Sequence, residues 1–220
     1  KQLRDTIELF EGKQIKIRSL PLMTEIMSDN YRRIIDIKIE DLLGRGVVNL
    51  ANNGLNGFIK GKTVLVTGGG GSIGSELCHQ ILSNHPKTLI IFDIYENSTY
   101  TVQLDLLNRI QNERLDTNLV TLIGSVYNDL RIESVFKQYQ PQLVFHAAAY
   151  KHVPLMEDSA VEAVRTNVLG TYNVARFSDK YNVEKMVLVS TDKAVRPTNV
   201  MGATKSICEK IIQYFSSVSK

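Results

Sequence analysis

Ser190-Thr191-Asp192-Lys193 sets two hydroxyls, a carboxylate and an amine on four consecutive residues. A hydroxyl, a carboxylate and an amine side by side are the group types that general acid–base chemistry uses. Ser, Thr and Asp are also common helix caps and turn formers, so local sequence leaves a purely structural role open. A few residues on, in Asn199-Val200-Met201-Gly202-Ala203-Thr204-Lys205, the lysine falls four residues after Met201 and on the same helix face. The Met201 thioether cannot accept a proton at neutral pH. A third polar group, Tyr150-Lys151-His152, follows Ala147-Ala148-Ala149; it suits contact with a polar ligand or, equally, an exposed loop.

These groups need elements that hold them together. Short β-branched or apolar runs at Thr63–Thr67, Thr88–Asp93, Leu119–Gly124, Gln142–His146 and Lys185–Thr191 read as strands. Amphipathic stretches such as Ser72–Leu82, Ser98–Gln111, Ser159–Tyr181 and Val200–Ser216 read as helices between and after them. The alternation predicts an α/β fold: a Rossmann-type, doubly wound parallel sheet with helices on both faces. Near-continuous apolar strands such as Leu89-Ile90-Ile91-Phe92 fit a sheet covered on both sides. In such sheets ligands bind beyond the carboxyl ends of the strands, where Ala147–His152 and Ser190–Lys193 fall. Five βα units fit before Lys220 where six strands are usual, so the domain is expected to be truncated after the fifth unit. Residues 1–60, with a break at Leu20-Pro21-Leu22, a mixed apolar and acidic stretch at Ile34–Leu43 and a turn-rich Asn52–Gly57, read as a linker or accessory segment, and 61–220 as the domain.

The first strand runs into Thr67-Gly68-Gly69-Gly70-Gly71-Ser72-Ile73-Gly74 and then a helix. Glycines at 68, 71 and 74 allow a tight turn, a close approach of backbone to a pyrophosphate, and close packing of helix on sheet. The helix N-terminus offers free N–H groups to phosphate. Because the run follows a strand and opens a helix, Thr67, Gly68, Gly71, Ser72, Ile73 and Gly74 are the expected contacts to a dinucleotide. Asp93 ends the second strand, 25 residues after Gly68, at the spacing expected of a carboxylate on the adenosine ribose. It favours hydroxyls over a 2′-phosphate, hence NAD over NADP. Small Ala147, Ala148 and Ala149 suit close approach of the cofactor.

Composition excludes several classes. A net charge of +3 without single-sign blocks argues against nucleic-acid binding. No apolar run is long enough to span a bilayer. Cys78 and Cys208, in helix-like stretches, are expected to be buried thiols. The four histidines do not cluster with cysteines or carboxylates, so no metal is implied.

The stretches TGGGGSIGSEL, VFHAAAYKHVPLMED, TNVLGTYNV and STDKAVRPTNVMGATK together resemble the CapD-type polysaccharide-biosynthesis family of nucleotide-sugar epimerases and dehydratases, within the extended short-chain dehydrogenase/reductase superfamily. The resemblance runs from about Ile39 (IEDLLGR) to Lys205. That superfamily usually has Tyr-x-x-x-Lys, with tyrosine as the base. Methionine at 201 resembles the large membrane-anchored UDP-N-acetylglucosamine 4,6-dehydratases of bacteria. The resemblance implies hydride transfer from sugar carbon 4 to NAD(P), loss of water across carbons 5 and 6, and return of hydride to carbon 6. By similarity Thr191 orients or relays at the 4-hydroxyl, Asp192 protonates the departing 6-hydroxyl and Lys193 takes the carbon-5 proton. The last role needs a lysine with lowered basicity, through burial or through Lys205 or Lys151 as a neighbouring cation. Lys205 holds the nicotinamide ribose, Asn167 lies near the active centre, and Tyr150, Lys151 and His152 face the sugar diphosphate.

Two positions depart from the family pattern. Ser125, followed by Val126, stands where an acidic residue usually meets the adenine amine, and Arg196 where asparagine is common. The resemblance further implies a UDP-sugar substrate, a homo-oligomer, and a parent protein anchored at the cytoplasmic face of the inner membrane. A sugar-binding lobe is expected beyond this chain, which is then expected to bind cofactor without turnover on its own. A 4-epimerase and a non-catalytic dinucleotide-binding module are the alternative readings. The Asp192-Lys193 pair counts against both, because neither needs it.

Overall fold

The computed structural model describes Arg18–Ser19, Ile35–Asp36 and residues 55–219. Most of the segments named before residue 55, including Leu20-Pro21-Leu22 and the start of the family resemblance at Ile39, lie outside the described residues. The chain divides into two units, Lys1–Ala51 and Asn52–Lys220. In the first, Arg18–Ser19 pairs antiparallel with Ile35–Asp36.

The second unit is built on five parallel strands: β1 (Thr63–Thr67), β2 (Thr88–Asp93), β3 (Asn118–Ile123), β4 (Leu143–His146) and β5 (Lys185–Leu188), in the spatial order β3-β2-β1-β4-β5. The order reverses between β1 and β4, which opens a crevice above their carboxyl ends. The helices are α1 (Leu55–Ile59), α2 (Ser72–Leu82), α3 (Glu96–Glu113), α4 (Asp129–Tyr139), α5 (Val153–Asp158), α6 (Ala160–Ala163), α7 (Gly170–Lys180) and α8 (Val200–Val218).

Strand periodicity divides the core in two. Val64, Val66, Leu89 and Ile91 pack with Cys78, Ile81 and Leu82 of α2 and Leu106 of α3. The alternate residues Leu65, Ile90, Phe92 and Val144 pack with Ile132 and Phe136 of α4 and Val174 and Phe177 of α7. Both sheet faces are therefore covered, as the apolar strands require. Full burial of such a side chain is worth about 1.5–3 kcal/mol. Helix α1 precedes β1 and buries Ile59 in the first cluster. Both cysteines are buried and free.

Two elements differ from the sequence expectation. The helix expected over Ser159–Tyr181 is interrupted by a π-helical turn at Val164–Leu169 between α6 and α7. The turn carries Asn167 into the interior, where its side chain is gripped from two directions. Strand β5 ends at Leu188 rather than Thr191, because its partner β4 ends at His146, which registers with Leu188. One further bond, from Val189 N–H to the His146 carbonyl at 3.0 Å, closes the ladder, and the chain then leaves the sheet.

Candidate functional site

The glycine-rich turn is enclosed by backbone at Gly68 and Gly74 and by side chains of Ile91 and Thr99 at Gly69 and Gly70. Gly68 has φ +74°, and a Cβ there would lie 2.4 Å from the Ala148 nitrogen. A Cβ on Gly74 would meet the Gly68 carbonyl oxygen at 1.9 Å, so helix α2 rests directly on the turn. Gly71 has an ordinary φ of −80° and caps α2 without any side-chain hydrogen bond. The first-turn N–H groups of α2 are thus left for a ligand.

Asp93 is 6% exposed and accepts two backbone N–H bonds, Gly70 to Oδ2 at 2.8 Å and Tyr95 to Oδ1 at 2.9 Å. These bonds aim the carboxylate, and each oxygen keeps lone pairs for a further donor. Around it lies a cleft of about 110 Å³ that opens to solvent. Its walls include Gly68, Gly71, Asp93, Ser125, Val126, Ala147, Ala148, Ala149 and Tyr150, all singled out from sequence.

Five further wall residues were not expected: Phe92, Ile94, Tyr95, Gly124 and Thr166. The first four flank Asp93 and Ser125 in the chain and could have been read as strand-end neighbours. Thr166 is brought in by the π turn, which no sequence periodicity marks. Ser72 and Ile73 are exposed on the first turn of α2, Ile73 at 56%, and do not line this cleft. The Ser125 hydroxyl accepts the Tyr127 N–H at 3.2 Å and closes its own turn.

Beneath the cleft runs a chain of buried polar groups. The Cys208 thiol donates to the Asn167 carbonyl at 3.1 Å, and the Thr171 hydroxyl donates to the Cys208 sulfur at 3.4 Å. Thr171 therefore accepts from His146 Nε2 at 2.9 Å, and His146 Nδ1 accepts the Thr67 hydroxyl at 2.6 Å. Every donor has one acceptor only if His146 is the neutral Nε2–H tautomer. The chain ties Thr67, at the root of the glycine turn, to helix α8. Asn167, fully buried, extends the network: its amide bonds Tyr150 N–H at 2.8 Å, the Tyr150 carbonyl at 3.0 Å and Thr204 Oγ1 at 2.9 Å. Thr67 and Asn167 thus support the cleft from below.

Burial, with Lys205 nearby, pushes the His146 imidazole down to about 3. The folded value lies below the unfolded one near 6.5, so this contribution to stability is present above about pH 6.5 and is lost as pH falls toward 3. Between pH 7 and pH 5 the loss is about 2 kcal/mol. Urea midpoints at these two pH values should fall more for the wild type than for His146→Asn, which has no proton to gain; equal falls contradict the assignment.

The Ser190–Lys193 run sits where β5 leaves the sheet. Asp192–Ala194 is a single 3₁₀ turn capped by Thr191. The Thr191 hydroxyl donates to Asp192 Oδ1 at 2.9 Å, and Lys193 Nζ lies 3.3 Å from the same oxygen. Hydrogen bonds from Thr191 and then Lys193 hold the Asp192 carboxyl below the usual carboxylate range. The Asp192 side chain is 87% exposed and that of Lys193 51%. The observed partner of Lys193 is thus a carboxylate in an open turn, rather than the burial or neighbouring cation sought from sequence.

Lys205 is buried, and its Nζ donates to the Val189 carbonyl at 2.7 Å. Burial holds its ammonium below the ordinary lysine range. Met201, four residues earlier, is 4% exposed in an apolar cluster with Met156 and Ala163, against Tyr150, Val153 and Val200. It therefore acts as packing. Lys151 and His152 are exposed just before α5. Neither they nor Thr191, Asp192, Lys193 and Lys205 line the cleft around Asp93.

Comparison with known proteins places this architecture. The EpsC protein of Bacillus subtilis, a probable polysaccharide biosynthesis protein, is 44% identical over 210 residues, covering 94% of this chain and 34% of that protein. The capsular polysaccharide biosynthesis protein CapD of Staphylococcus aureus is 40% identical over 215 residues, 97% of this chain and 35% of its own. The chain thus spans about a third of the length of the curated relatives it matches. Among solved structures, Pen from Bacillus thuringiensis aligns with a TM-score of 0.64 at 35% identity, over 73% of this chain and 47% of Pen. The Bordetella bronchiseptica enzyme WbmG, solved with NAD and UDP, aligns with a TM-score of 0.59 over 75% of this chain and 52% of WbmG; at 24% identity that likeness is one of fold. The pattern that defines the polysaccharide biosynthesis protein family matches residues 64–220, from the first strand through the 3₁₀ turn after β5 and α8, and the chain belongs to that family.

Proposed function

We propose that this chain carries the cofactor site and the acid–base turn of an NAD-dependent nucleotide-sugar 4,6-dehydratase, acting on UDP-N-acetylglucosamine or a close analogue in surface-polysaccharide synthesis. One observation carries the reading: a carboxylate and an amine stand 3.3 Å apart just beyond the carboxyl end of β5, in the same parallel sheet whose first strand runs into the glycine turn. A 4-epimerase has no use for such a pair, since it moves no proton at carbons 5 and 6.

The residues fit NAD. The uncapped first turn of α2 offers N–H groups to the pyrophosphate, while the Gly71 N–H closes the turn on the Gly68 carbonyl at 3.1 Å. A Cβ on Gly71 would meet nothing closer than 3.4 Å, so that face of the turn is open. Asp93, aimed by Gly70 and Tyr95, accepts from the adenosine ribose hydroxyls and repels a 2′-phosphate, which favours NAD over NADP. Bound there, NAD supplies the hydride acceptor and donor for sugar carbons 4 and 6. Lys205, already fixed on α8, holds the nicotinamide ribose.

Thr191 orients the 4-hydroxyl and relays its proton to solvent as hydride leaves carbon 4, Asp192 protonates the departing 6-hydroxyl and Lys193 removes the carbon-5 proton. In the open turn the proton sits for the opposite roles, since Asp192 is held as a carboxylate. A bound sugar that covers the turn removes water from both groups and disfavours the charged pair. One proton shift from Lys193 Nζ to Asp192 then leaves an acid and a base in the required places. Tyr150, Lys151 and His152, on the loop after β4, face the diphosphate and sugar. The complete polypeptide is expected to act at the cytoplasmic face of the inner membrane as a homo-oligomer; exposed Leu169, Tyr172, Ile207 and Tyr214 support the latter.

Reaction in heavy water tests the scheme, using the complete polypeptide that carries this sequence. Proton transfer at carbon 5 through Lys193 and solvent predicts a product with a 6-methyl group and deuterium at carbon 5, read by NMR. A product epimerised at carbon 4 with no deuterium would overturn the dehydratase in favour of an epimerase.

A further inference from the structure

The residues after β5 have lost their sheet partner, and α8 supplies what holds them. Lys205 and Glu209 stand one helical turn apart on the same face of α8. They grip consecutive residues: Lys205 Nζ donates to the Val189 carbonyl at 2.7 Å, and the Ser190 hydroxyl donates to Glu209 Oε1. A third contact lies further along, where Gly202 presses on Lys193. A Cβ on Gly202 would come within 2.5 Å of the Lys193 carbonyl oxygen. Helix α8 thus touches the chain on both sides of Thr191 and Asp192. The only ladder bond left to this stretch is Val189 N–H to the His146 carbonyl, one residue before Ser190.

We propose that Glu209 is a positioning residue that fixes the reactive turn through its hydrogen bond with the Ser190 hydroxyl. The proposal rests on the reading of Thr191, Asp192 and Lys193 as the acid–base group. Ser190 immediately precedes Thr191, so its hydroxyl sets the direction in which the Thr191 side chain and the 3₁₀ turn leave the sheet. Lys205 alone fixes a carbonyl one residue further back and leaves the Ser190 to Thr191 peptide free to rotate. Glu209 removes that freedom. A carboxylate suits the task, because a hydroxyl bonded to a charged acceptor is held more tightly than one bonded to a neutral acceptor. Lys205 nearby keeps that charge compensated. Neither Ser190 nor Glu209 is assigned to the reacting sugar or to the cofactor, so their effect is on geometry.

The experiment compares Glu209→Ala, Ser190→Ala, the double variant, Glu209→Gln and Asp192→Asn in the complete polypeptide. Turnover, KM for the sugar nucleotide, NAD affinity, melting temperature and amide hydrogen exchange across 189–193 are measured for each. Glu209→Ala and Ser190→Ala should each lower kcat by about 10- to 100-fold, the scale of loss from a small misplacement of reacting groups. KM and NAD affinity should stay within about 2-fold, and exchange at 189–193 should quicken. The double variant should be no worse than either single, because both remove one bond. Glu209→Gln, which keeps an acceptor, should recover most of the loss. Unchanged kcat and exchange in Glu209→Ala, or single losses that multiply in the double variant, would overturn the proposal. So would a fall in NAD affinity and melting temperature that matches the fall in kcat, which marks a general structural role. If Asp192→Asn abolishes turnover while Glu209→Ala does not change it, the positioning role fails alone. If Asp192→Asn keeps full turnover, the reading of the turn fails, and the role of Glu209 with it.

Discussion

Alanine at Gly68 is expected to weaken NAD binding by at least about 100-fold, equivalent to about 2.7 kcal/mol. The backbone at this position has φ +74°, which costs an L-residue roughly 1–2 kcal/mol. The added Cβ would also lie 2.4 Å from Ala148 N and 2.6 Å from Ala147 C, and neither main-chain atom can step aside as a side chain would. The turn must therefore move away from the β4 loop. That movement takes Gly71 and the start of α2 out of line with the phosphates. Gly71→Ala is the informative companion: its φ is ordinary and its nearest neighbour would be 3.4 Å away, so the fold should tolerate it. Its melting temperature should match the wild type while NAD affinity falls, because the methyl occupies only the ligand's space. Calorimetric titration with NAD checks both, and near-native affinity in Gly68→Ala would contradict the placement of the dinucleotide on this turn.

Asp192→Asn and Lys193→Ala are expected to lower kcat by about 10²- to 10⁴-fold, the range for loss of a positioned acid or base. Stability should hardly change, since Asp192 is 87% exposed at its side chain and Lys193 51%. Affinity for NAD should also persist, because neither residue lines the cleft that carries Asp93 and the glycine turn. Steady-state kinetics beside NAD titration separates the two effects. A parallel loss of turnover and cofactor affinity would show that the turn serves binding rather than proton transfer.

The parts of the site that a sequence displays are those governed by local backbone rules. The glycine turn was legible because spacing, a preceding strand and a following helix all impose conditions on adjacent residues. Asp93 followed from it, since the strand that ends there has to return beside β1. The limits of α2 were legible from periodicity and turn residues for the same reason.

What escaped depends on contacts between distant segments. The π turn at Val164–Leu169 exists where Asn167 meets the peptide of Tyr150 and the hydroxyl of Thr204, 17 and 37 residues away in the chain. Periodicity alone reads straight through it as one helix. Strand β5 was read three residues too long because its end is set by where β4 stops, which its own apolar run does not record. The chain from Thr67 through His146 and Thr171 to Cys208 is likewise invisible before folding. Met201 shows the opposite case: its chemistry excluded a base from sequence, and the apolar cluster around it supplies the structural reason for its presence.

A polypeptide carrying this sequence is expected to remove water from a nucleotide sugar with NAD as its internal hydride carrier. Mass spectrometry of UDP-N-acetylglucosamine incubated with NAD and the complete polypeptide tests it most directly. The account predicts a product lighter by one water, absent when Asp192→Asn or Lys193→Ala replaces the wild type. An unchanged sugar nucleotide, or an isomer of identical mass, in the presence of confirmed NAD binding would contradict it.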